Sequence, residues 1–366
     1  MEQALRSHGV DVETVTTDDD GSGRRLQKPL RQRILDEGAW RWYFAKSTEF
    51  YKCSWSMAKW LRQHVGDYDV LHIHALFSFT SIASAYCARR ADVPYILRPL
   101  GTLNEYGLNK RRPLLKRLSL RFLEGPALRW AYAVHVTSES ERNQVEKLGI
   151  PLRTALIPLA VRESRKMYPE RADDHLAALR PYVLCMARLD AVKNIESLLD
   201  ACVIVMKQMP SLKLLLAGSG DEDYVTALKA RAERNGVAER VCWMGYVDGS
   251  AKAELLRGAE AFVLPSFSEN FGISVAEAMA AGLPCIVAKG VALASHVAAT
   301  GAGCVTGTDA ASIAEGMLCV LADEPKRQAM ARAAKACADR EFSSDAMAQR
   351  LSTLYVSAME QRQQWI

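Results

Sequence analysis

Short apolar runs alternate with longer amphipathic stretches along this chain, most regularly in its second half. There the runs predict strands at Tyr182–Ala187, Leu212–Ala217, Val241–Met244, Phe262–Pro265, Pro284–Val287 and Cys304–Thr306, with helices such as Ile195–Lys207 between them. Buried strands joined by helices give a parallel sheet, so this half is an α/β domain. The first half has the same rhythm, less evenly. Met1 to Ser7 reads as the tail of a helix, and His8–Thr16 alternates as a strand does. Tyr68–His74, Pro94–Pro99, Ala133–Ser138 and Ala155–Ala160 read as further strands, with a helix after His74 running to about Arg90. Residues 161–180 are charged and irregular, as a link would be. Two domains follow, 1–160 and 161–343, with an amphipathic helix, Ser344–Gln361, at the end.

The most informative stretch is Ser266-Phe-Ser-Glu-Asn-Phe-Gly-Ile-Ser-Val-Ala-Glu-Ala-Met-Ala-Ala-Gly282. It follows the run Ala261-Phe-Val-Leu-Pro265 and has Pro284 just beyond it, so it reads as strand, turn, helix start and helix stop. The helix expected from about Gly272 to Ala281 is apolar almost all round, interrupted by Ser274 and Glu277. A buried, unpaired carboxylate costs several kcal/mol, so Glu277 requires a partner. Glu269 adds a second carboxylate at the same end. Between them Asn270-Phe271-Gly272 offers main-chain N–H groups at a helix N-terminus, a seat for phosphate. Carboxylates suit sugar hydroxyls, and amides suit phosphate. Together they point to a nucleotide-sugar.

Other loops fit the same ligand. At the end of the first strand of this half stands Arg188-Leu-Asp-Ala-Val-Lys193-Asn194. A guanidinium fork and an ammonium there would neutralise a diphosphate, although two cations at that spacing are also ordinary surface charge. Gly218-Ser-Gly220 follows the next strand and would allow close backbone approach to a ligand. Gly245-Tyr246-Val247 follows the third and would meet a base through its backbone.

Glu269 and Glu277, with seven residues between them, resemble the E-x7-E signature of the retaining family 4 glycosyltransferases of GT-B fold. The segment PSFSENFGISVAEAMAAGLPCIVA resembles that family along its whole length. The resemblance implies two Rossmann-like parallel-sheet domains facing across a cleft, with the helix in 344–366 packing back on the first. It implies metal-independent, retaining transfer of a hexosyl group from a UDP- or GDP-sugar, on the donor's front face and without a cofactor. Domain closure would exclude water. Arg188 and Lys193 resemble the family's R-x4-K diphosphate clamp. By the same likeness Glu269 orients the donor sugar and Glu277 holds the ribose. Gly218, Gly245, Tyr246, Asn270, Phe271 and Gly272 complete the donor side. The segments RPLGTLN and HVTSESE are similar to the branch that builds bacterial exopolysaccharide and lipopolysaccharide, which implies a glycan or lipid-linked acceptor.

In a doubly wound sheet ligands sit beyond the carboxyl ends of strands, so His74, Arg98 and Thr102 project toward the acceptor side, with His74 a candidate catalytic residue. The chain departs from the family at Arg98-Pro99, where a histidine is common, and at Leu159-Ala160, where Asn-Gly is common. A strand resembling 8–16 is second in the family. The first strand and its glycine turn have no counterpart here, and roughly 20 to 30 residues of that kind are expected to be lacking. Such a lack would leave a row of backbone groups unpaired. A transferase-like partner without catalysis is the first alternative function; a GT-B sugar-nucleotide epimerase is the second, and the family motifs argue against it.

Composition narrows the setting. The chain has 366 residues, 49% hydrophobic and 24% charged, and no apolar run nears the ~20 residues a membrane span needs. Met1-Glu2-Gln3 leads straight into polar sequence, which reads as cytoplasmic. Nine scattered cysteines without a C-x-x-C pair read as small buried hydrophobes in a reducing compartment. Asp18-x-Asp20 and Asp221-x-Asp223 read as turn and cap chemistry rather than metal ligands. The net charge of +5 is concentrated. Residues 24–62 mix arginines and lysines with Trp40, Trp42, Tyr43, Phe44, Phe50, Tyr51, Trp55 and Trp60, and Lys110–Arg121 opens a second basic helix. Residues 24–62 read either as an amphipathic helix packing its aromatics inward or, like 110–121, as a surface for an anionic membrane at its inner face. No nucleic-acid-binding module accompanies them.

Overall fold

The computed structural model describes residues 1–21, 23–103, 113–161 and 174–363. Asn104, the basic residues Lys110, Arg111 and Arg112, and most of the link expected at 161–180 lie outside the described residues. The chain divides into two compact units, Leu159–Ser344 and Met1–Pro158 with Asp345–Ile366.

In the second unit all six strands form where the apolar runs put them. They are β8 (Tyr182–Met186), β9 (Lys213–Ala217), β10 (Val241–Gly245), β11 (Ala261–Leu264), β12 (Cys285–Ala288) and β13 (Gly303–Thr306). Their order is β10-β9-β8-β11-β12-β13, and every pairing is parallel. Strands β8, β11 and β12 are buried along their whole length, as unbroken Val/Leu/Ile/Cys runs require when helices cover both faces. The intervening helices are α7 (Ile195–Gln208), α8 (Glu222–Arg234), α9 (Gly249–Gly258), α10 (Ile273–Ala280), α11 (Ala294–Thr300), α12 (Ala310–Leu321) and α13 (Glu324–Glu341). Chain order runs outward from β8 through β9 to β10, then returns to β11 on the other flank. The switch point therefore falls between β8 and β11, where loops part and leave a crevice at the carboxyl ends.

The first unit is less regular. A four-stranded parallel sheet contains β4 (Leu71–His74), β5 (Tyr95–Arg98), β6 (Ala133–Val136) and β7 (Thr154–Leu156), in that order. A separate three-stranded sheet, order β1-β3-β2, contains β1 (Glu13–Thr17), β2 (Arg33–Asp36) and β3 (Ala39–Phe44). The strand expected over 8–16 thus begins only at Glu13. α1 (Glu2–Ser7), α2 (Trp55–His64), α3 (Phe79–Arg90), α4 (Pro113–Ser119), α5 (Gly125–Trp130) and α6 (Glu139–Glu146) flank the sheets, with a π-turn, Leu120–Glu124, joining α4 to α5. The terminal helix α14 (Ser344–Gln363) is grouped here from Asp345 on. β1 and β4 are each an end strand. Both border a cavity of about 590 Å3 lined by residues 10–17 and 70–74, with Met57, Leu61 and Tyr355 among its walls.

The helix expected in 24–62 is corrected. Arg33-Ile-Leu-Asp alternates, Glu37-Gly38 turns with both φ positive (50° and 75°), and Ala39-Trp-Arg-Trp-Tyr-Phe44 returns antiparallel. Aromatic, β-forming residues and a glycine turn outweigh the amphipathic pattern. Apart from a 3-10 turn at Phe50–Lys52, the helical part is Trp55–His64, started by Ser54, whose hydroxyl accepts from Met57 N.

Candidate active site

The loops leaving β8, β9, β10 and β11 are stitched to one another by main-chain hydrogen bonds. Leu189 N donates to Ser219 O (2.8 Å), Gly218 N to Gly245 O (2.7 Å) and Phe267 N to Val192 O (2.9 Å). Four of the motifs singled out in the sequence are therefore held at one end of one sheet. Asn194 anchors the first of them from beneath. It sits in the left-handed region (φ 57°), and its buried amide donates to Pro265 O (3.2 Å) and Thr308 O (2.8 Å).

Within this crevice Lys193 Nζ is ion-paired with Glu269, both side chains mostly shielded from solvent. The cation of the expected clamp and the carboxylate expected at the sugar thus meet directly. Arg188 behaves differently. Its side chain is 74% exposed and is steered by Asp190, 2.9 Å from its guanidinium. Glu269 is fixed by its own backbone, whose amide donates to Gly290 O (3.0 Å) and whose carbonyl accepts from Ala292 N (3.1 Å).

α10 begins at Ile273, with Gly272 as its N-cap at φ 91°, a left-handed position that favours glycine. Gly272 O accepts from both Val275 N (2.9 Å) and Ala276 N (3.1 Å), which leaves the Ile273 and Ser274 amides ahead of the helical ladder and open to an anion. Glu277, one turn in, has the partner its setting demands: Lys252 of α9, at 2.7 Å. Nothing in the pattern of the sequence pointed to Lys252, because its only signal is a lysine early in an unremarked helix.

Other expected donor residues sort by side chain. Phe271 is buried and packs edge-on against Phe342 (centroids 5.8 Å apart), so only its backbone can face a ligand. Tyr246 is exposed beside Gly245, which has φ 66°. Gly218 and Gly220 also have a structural reason within the protein. A Cβ at Gly218 would fall 1.8 Å from Ala187 O, and one at Gly220 would fall 2.1 Å from Leu189 O. Both glycines are demanded by the neighbouring loop, which their closeness positions. Asp221 caps α8 by accepting from the Asp223 and Tyr224 amides, as cap chemistry predicts.

The first unit holds the remaining three residues at the carboxyl end of its own sheet. His74 and Arg98 are register partners across β4 and β5. His74 stacks on His72 (centroids 4.6 Å apart, 15° between planes) and keeps one face open to the cavity. Desolvation and then the Arg98 charge lower its pKa to about 4, so the imidazole is neutral at physiological pH. Burial likewise lowers the Arg98 guanidinium. The Thr102 hydroxyl is spent on Pro99 O (2.7 Å), closing the turn after β5. Glu141, buried at the third position of α6, accepts from Thr137 N (2.7 Å) and Gly101 N (2.7 Å) and ties that turn to the strand end of β6. The Ser138-to-Glu141 spacing is a capping box legible in the sequence, but its reach to Gly101 is not.

Comparison with known proteins agrees with this fold. Residues 170–336 match the group 1 glycosyl transferases, and residues 1–160 match the glycosyl transferase 4-like domain. The chain is 28% identical over 299 residues, 79% of its length and 74% of the relative's, to a phosphatidyl-myo-inositol mannosyltransferase of Mycobacterium leprae. It is 25% identical over 228 residues, 60% of its length and 51% of the relative's, to the alpha-monoglucosyldiacylglycerol synthase of Streptococcus pneumoniae. Among solved structures, a sucrose-phosphate synthase from Thermosynechococcus elongatus superposes with TM-score 0.73 at 20% identity, over 98% of this chain and 92% of that one. HepE of Anabaena, in complex with UDP, superposes with TM-score 0.72 at 19% identity, over 87% and 86% of the two chains. Two Rossmann-like units matched in this way define a glycosyltransferase of the GT-B fold. The chain belongs to family 4 of those enzymes.

Proposed function

We propose that this enzyme transfers a hexosyl group, with retention, from a nucleoside diphosphate sugar to a lipid-linked or polysaccharide saccharide. The observation that carries the donor half is the Lys193–Glu269 pair at the switch point between β8 and β11, with Glu277 on the helix that follows. A leaving diphosphate gathers negative charge. Lys193, Arg188 and the leading amides of α10 answer it with preorganised positive ends, so the loss of one such group slows reaction by about 100-fold or more. Glu269 accepts hydrogen bonds from donor-sugar hydroxyls, and its pairing with Lys193 holds both groups in place before substrate arrives. Glu277 and Lys252 together offer an acceptor and a donor to the ribose diol. UDP is the favoured nucleotide, since HepE, of similar fold, is described with UDP. Because the leaving phosphate itself takes the acceptor's proton in a front-face reaction, no protein nucleophile is assigned. Activity is accordingly expected to survive EDTA.

The acceptor half rests on the first unit. His74 and Arg98 present a neutral imidazole and a guanidinium at adjacent strand ends, suited to saccharide hydroxyls and an anionic group. A lipid-linked acceptor is favoured by one surface. α4 and the π-turn expose Leu114, Leu115, Leu118, Phe122 and Leu123 among Lys116, Arg117 and Arg121. Apolar side chains flanked by cations suit the interface of an anionic bilayer. Both relatives named above have lipid-acting names, the mannosyltransferase and the diacylglycerol synthase. Release of UDP or GDP from a panel of donors, with lipid extracts as acceptor, tests the proposal. Glu269→Ala and Lys193→Ala should each lose transfer by about 100-fold while staying folded. Full activity in both variants ends the assignment.

A further inference from the structure

The expectation of nine buried, inert cysteines holds for Cys185, Cys202, Cys285 and Cys337; Cys53, Cys87, Cys242 and Cys304 are half-buried and Cys319 is exposed, and of these Cys304 and Cys319 lie together. Cys185 and Cys202 are enclosed in the core, and burial pushes each thiol up to about 12. Cys319, in contrast, is exposed in the last turn of α12, and Cys304 is half-buried in β13, the outermost strand of its sheet. Their sulfurs lie 3.2 Å apart, and Lys326 Nζ lies 3.2 Å from Cys319 Sγ on the other side.

The backbone imposes this approach. Gly316 precedes Cys319 by one turn on the same helix face, and a Cβ there would come within 2.4 Å of Thr306 Cγ2 and 3.8 Å of Cys304 Cβ. The helix is thereby seated flush on β13, with Cys319 above Cys304. Lys326 is placed by its own backbone, whose amide donates to the capping carboxylate of Asp323 (3.0 Å).

We propose that Cys319 and Cys304 form a reactive dithiol site that takes low-molecular-weight disulfides, of which glutathione disulfide is the type, and closes to an intramolecular disulfide. Cys319 is the attacking sulfur. Hydrogen bonds from the Cys304 thiol and the Lys326 ammonium hold its pKa below the usual thiol range, while burial drives Cys304 up to about 12. The Cys319 thiolate attacks one sulfur of the small disulfide, whose S–S bond breaks and releases one thiolate, which takes up a proton. Cys304 then gives its proton to solvent and attacks Cys319 Sγ, expelling the second small thiolate. Two protein thiols are oxidised by two electrons, and one small disulfide is reduced to two thiols. The product links the edge strand to the helix above it.

Incubating the purified protein with glutathione disulfide at neutral pH and mapping peptides by mass spectrometry tests the site. A Cys304–Cys319 cross-linked peptide, reversed by dithiothreitol, is expected ahead of modification at the seven other cysteines. Cys304→Ser should stop at a glutathione adduct on Cys319, and Cys319→Ser should leave both positions unmodified. Lys326→Gln should slow the first step several-fold at neutral pH, with the difference closing at high pH, where Cys319 ionises without help. Stable adducts without a cross-link in the unsubstituted protein, or adducts spread evenly over the other cysteines, overturn the proposal. An unchanged Lys326→Gln rate at neutral pH removes the lysine from it.

Discussion

At the scale of single residues, the ion pairs of the crevice state which side chains were legible and which were not. Glu269, Glu277, Arg188 and Lys193 were legible because strand ends and a helix start bracket them. The pairing of Lys193 with Glu269 was not, since 76 residues separate them and only the adjacency of β8 and β11 brings them together. Lys252 was invisible for the same reason, lying 25 residues before Glu277 on a different helix. It supplies a prediction. Lys252→Met removes the partner of a partly shielded carboxylate, a loss of on the order of 1 kcal/mol in this half-exposed setting. Donor KM should rise several-fold with kcat little changed, because Glu277 is assigned to the ribose rather than the reacting carbon. A fall in kcat at constant KM would place the pair at the chemistry instead.

Elements bring a different lesson, drawn from three histidines and a tyrosine. His135 Nε2 lies 2.8 Å from Ile157 O, which can only accept, so this nitrogen carries the proton. His135 Nδ1 then accepts from His72 Nε2 (3.2 Å), and His72 Nδ1 accepts from the Tyr355 hydroxyl (2.7 Å). The relay fastens α14 to β4 and β6 through neutral rings. Desolvation lowers His72 well below its usual value and takes His135 to about 3, with His74 at about 4. An imidazole whose folded pKa lies below its unfolded value near 6.5 stabilises the fold fully at neutral pH, and that stability is lost as pH falls toward the folded value. Each of the two relay rings, His72 and His135, therefore costs up to about 1.4 kcal/mol per pH unit below about pH 6, whereas the solvent-exposed His74 contributes little. Urea midpoints should drop steadily from pH 7 to pH 4.5, and less steeply in a variant in which His72 is replaced. Tyr355→Phe should cost about 1–3 kcal/mol by stranding the His72 acceptor. The sequence showed one strand ending in histidine and another with a histidine inside it, but not that rings from the two strands touch. The two open strand edges carry their own expectation: amides of β1 and β4 bordering the cavity should exchange with solvent well before those of β5 or β8, because backbone groups there lack a ladder partner. Equal protection would show that the edges are covered.

Over the whole molecule, the two ends of the sequence differ in how plainly they speak. The second unit declared itself because its central strands are buried on both faces and helices join them in regular alternation, so periodicity alone located six strands to within a residue or so. The first unit did not, since aromatic and basic residues in 24–62 fit a helix or a hairpin equally until Gly38 is given its turn. That correction also redistributes charge. Trp42 and Trp60 meet at a tilt of 44° with centroids 5.0 Å apart, Tyr43 and Phe44 are buried, and several local cations are matched by acids: Lys28 by Asp36 (2.9 Å), Arg41 by Glu2 (3.0 Å), Lys52 by Glu49 (2.8 Å). Of the two segments read as membrane surfaces, 24–62 has thus turned most of its aromatic rings inward and exposes Leu30, Leu35, Phe50 and Trp55 at scattered points, whereas 113–123 shows five large apolar side chains to solvent within eleven residues. Binding to vesicles should follow the second segment alone. With phosphatidylglycerol vesicles at low salt, Leu118→Glu with Phe122→Glu should abolish co-sedimentation, since each removes a buried apolar anchor and adds repulsion from anionic lipid. Arg117→Gln with Arg121→Gln should weaken it by about 1 kcal/mol per charge, an effect that fades as salt is raised. Lys28→Gln should change nothing, because that cation is already matched within the protein. Donor hydrolysis in the absence of vesicles should be the same in all three. Loss of vesicle binding in Lys28→Gln, or its persistence in the double glutamate variant, would move the membrane contact away from this helix.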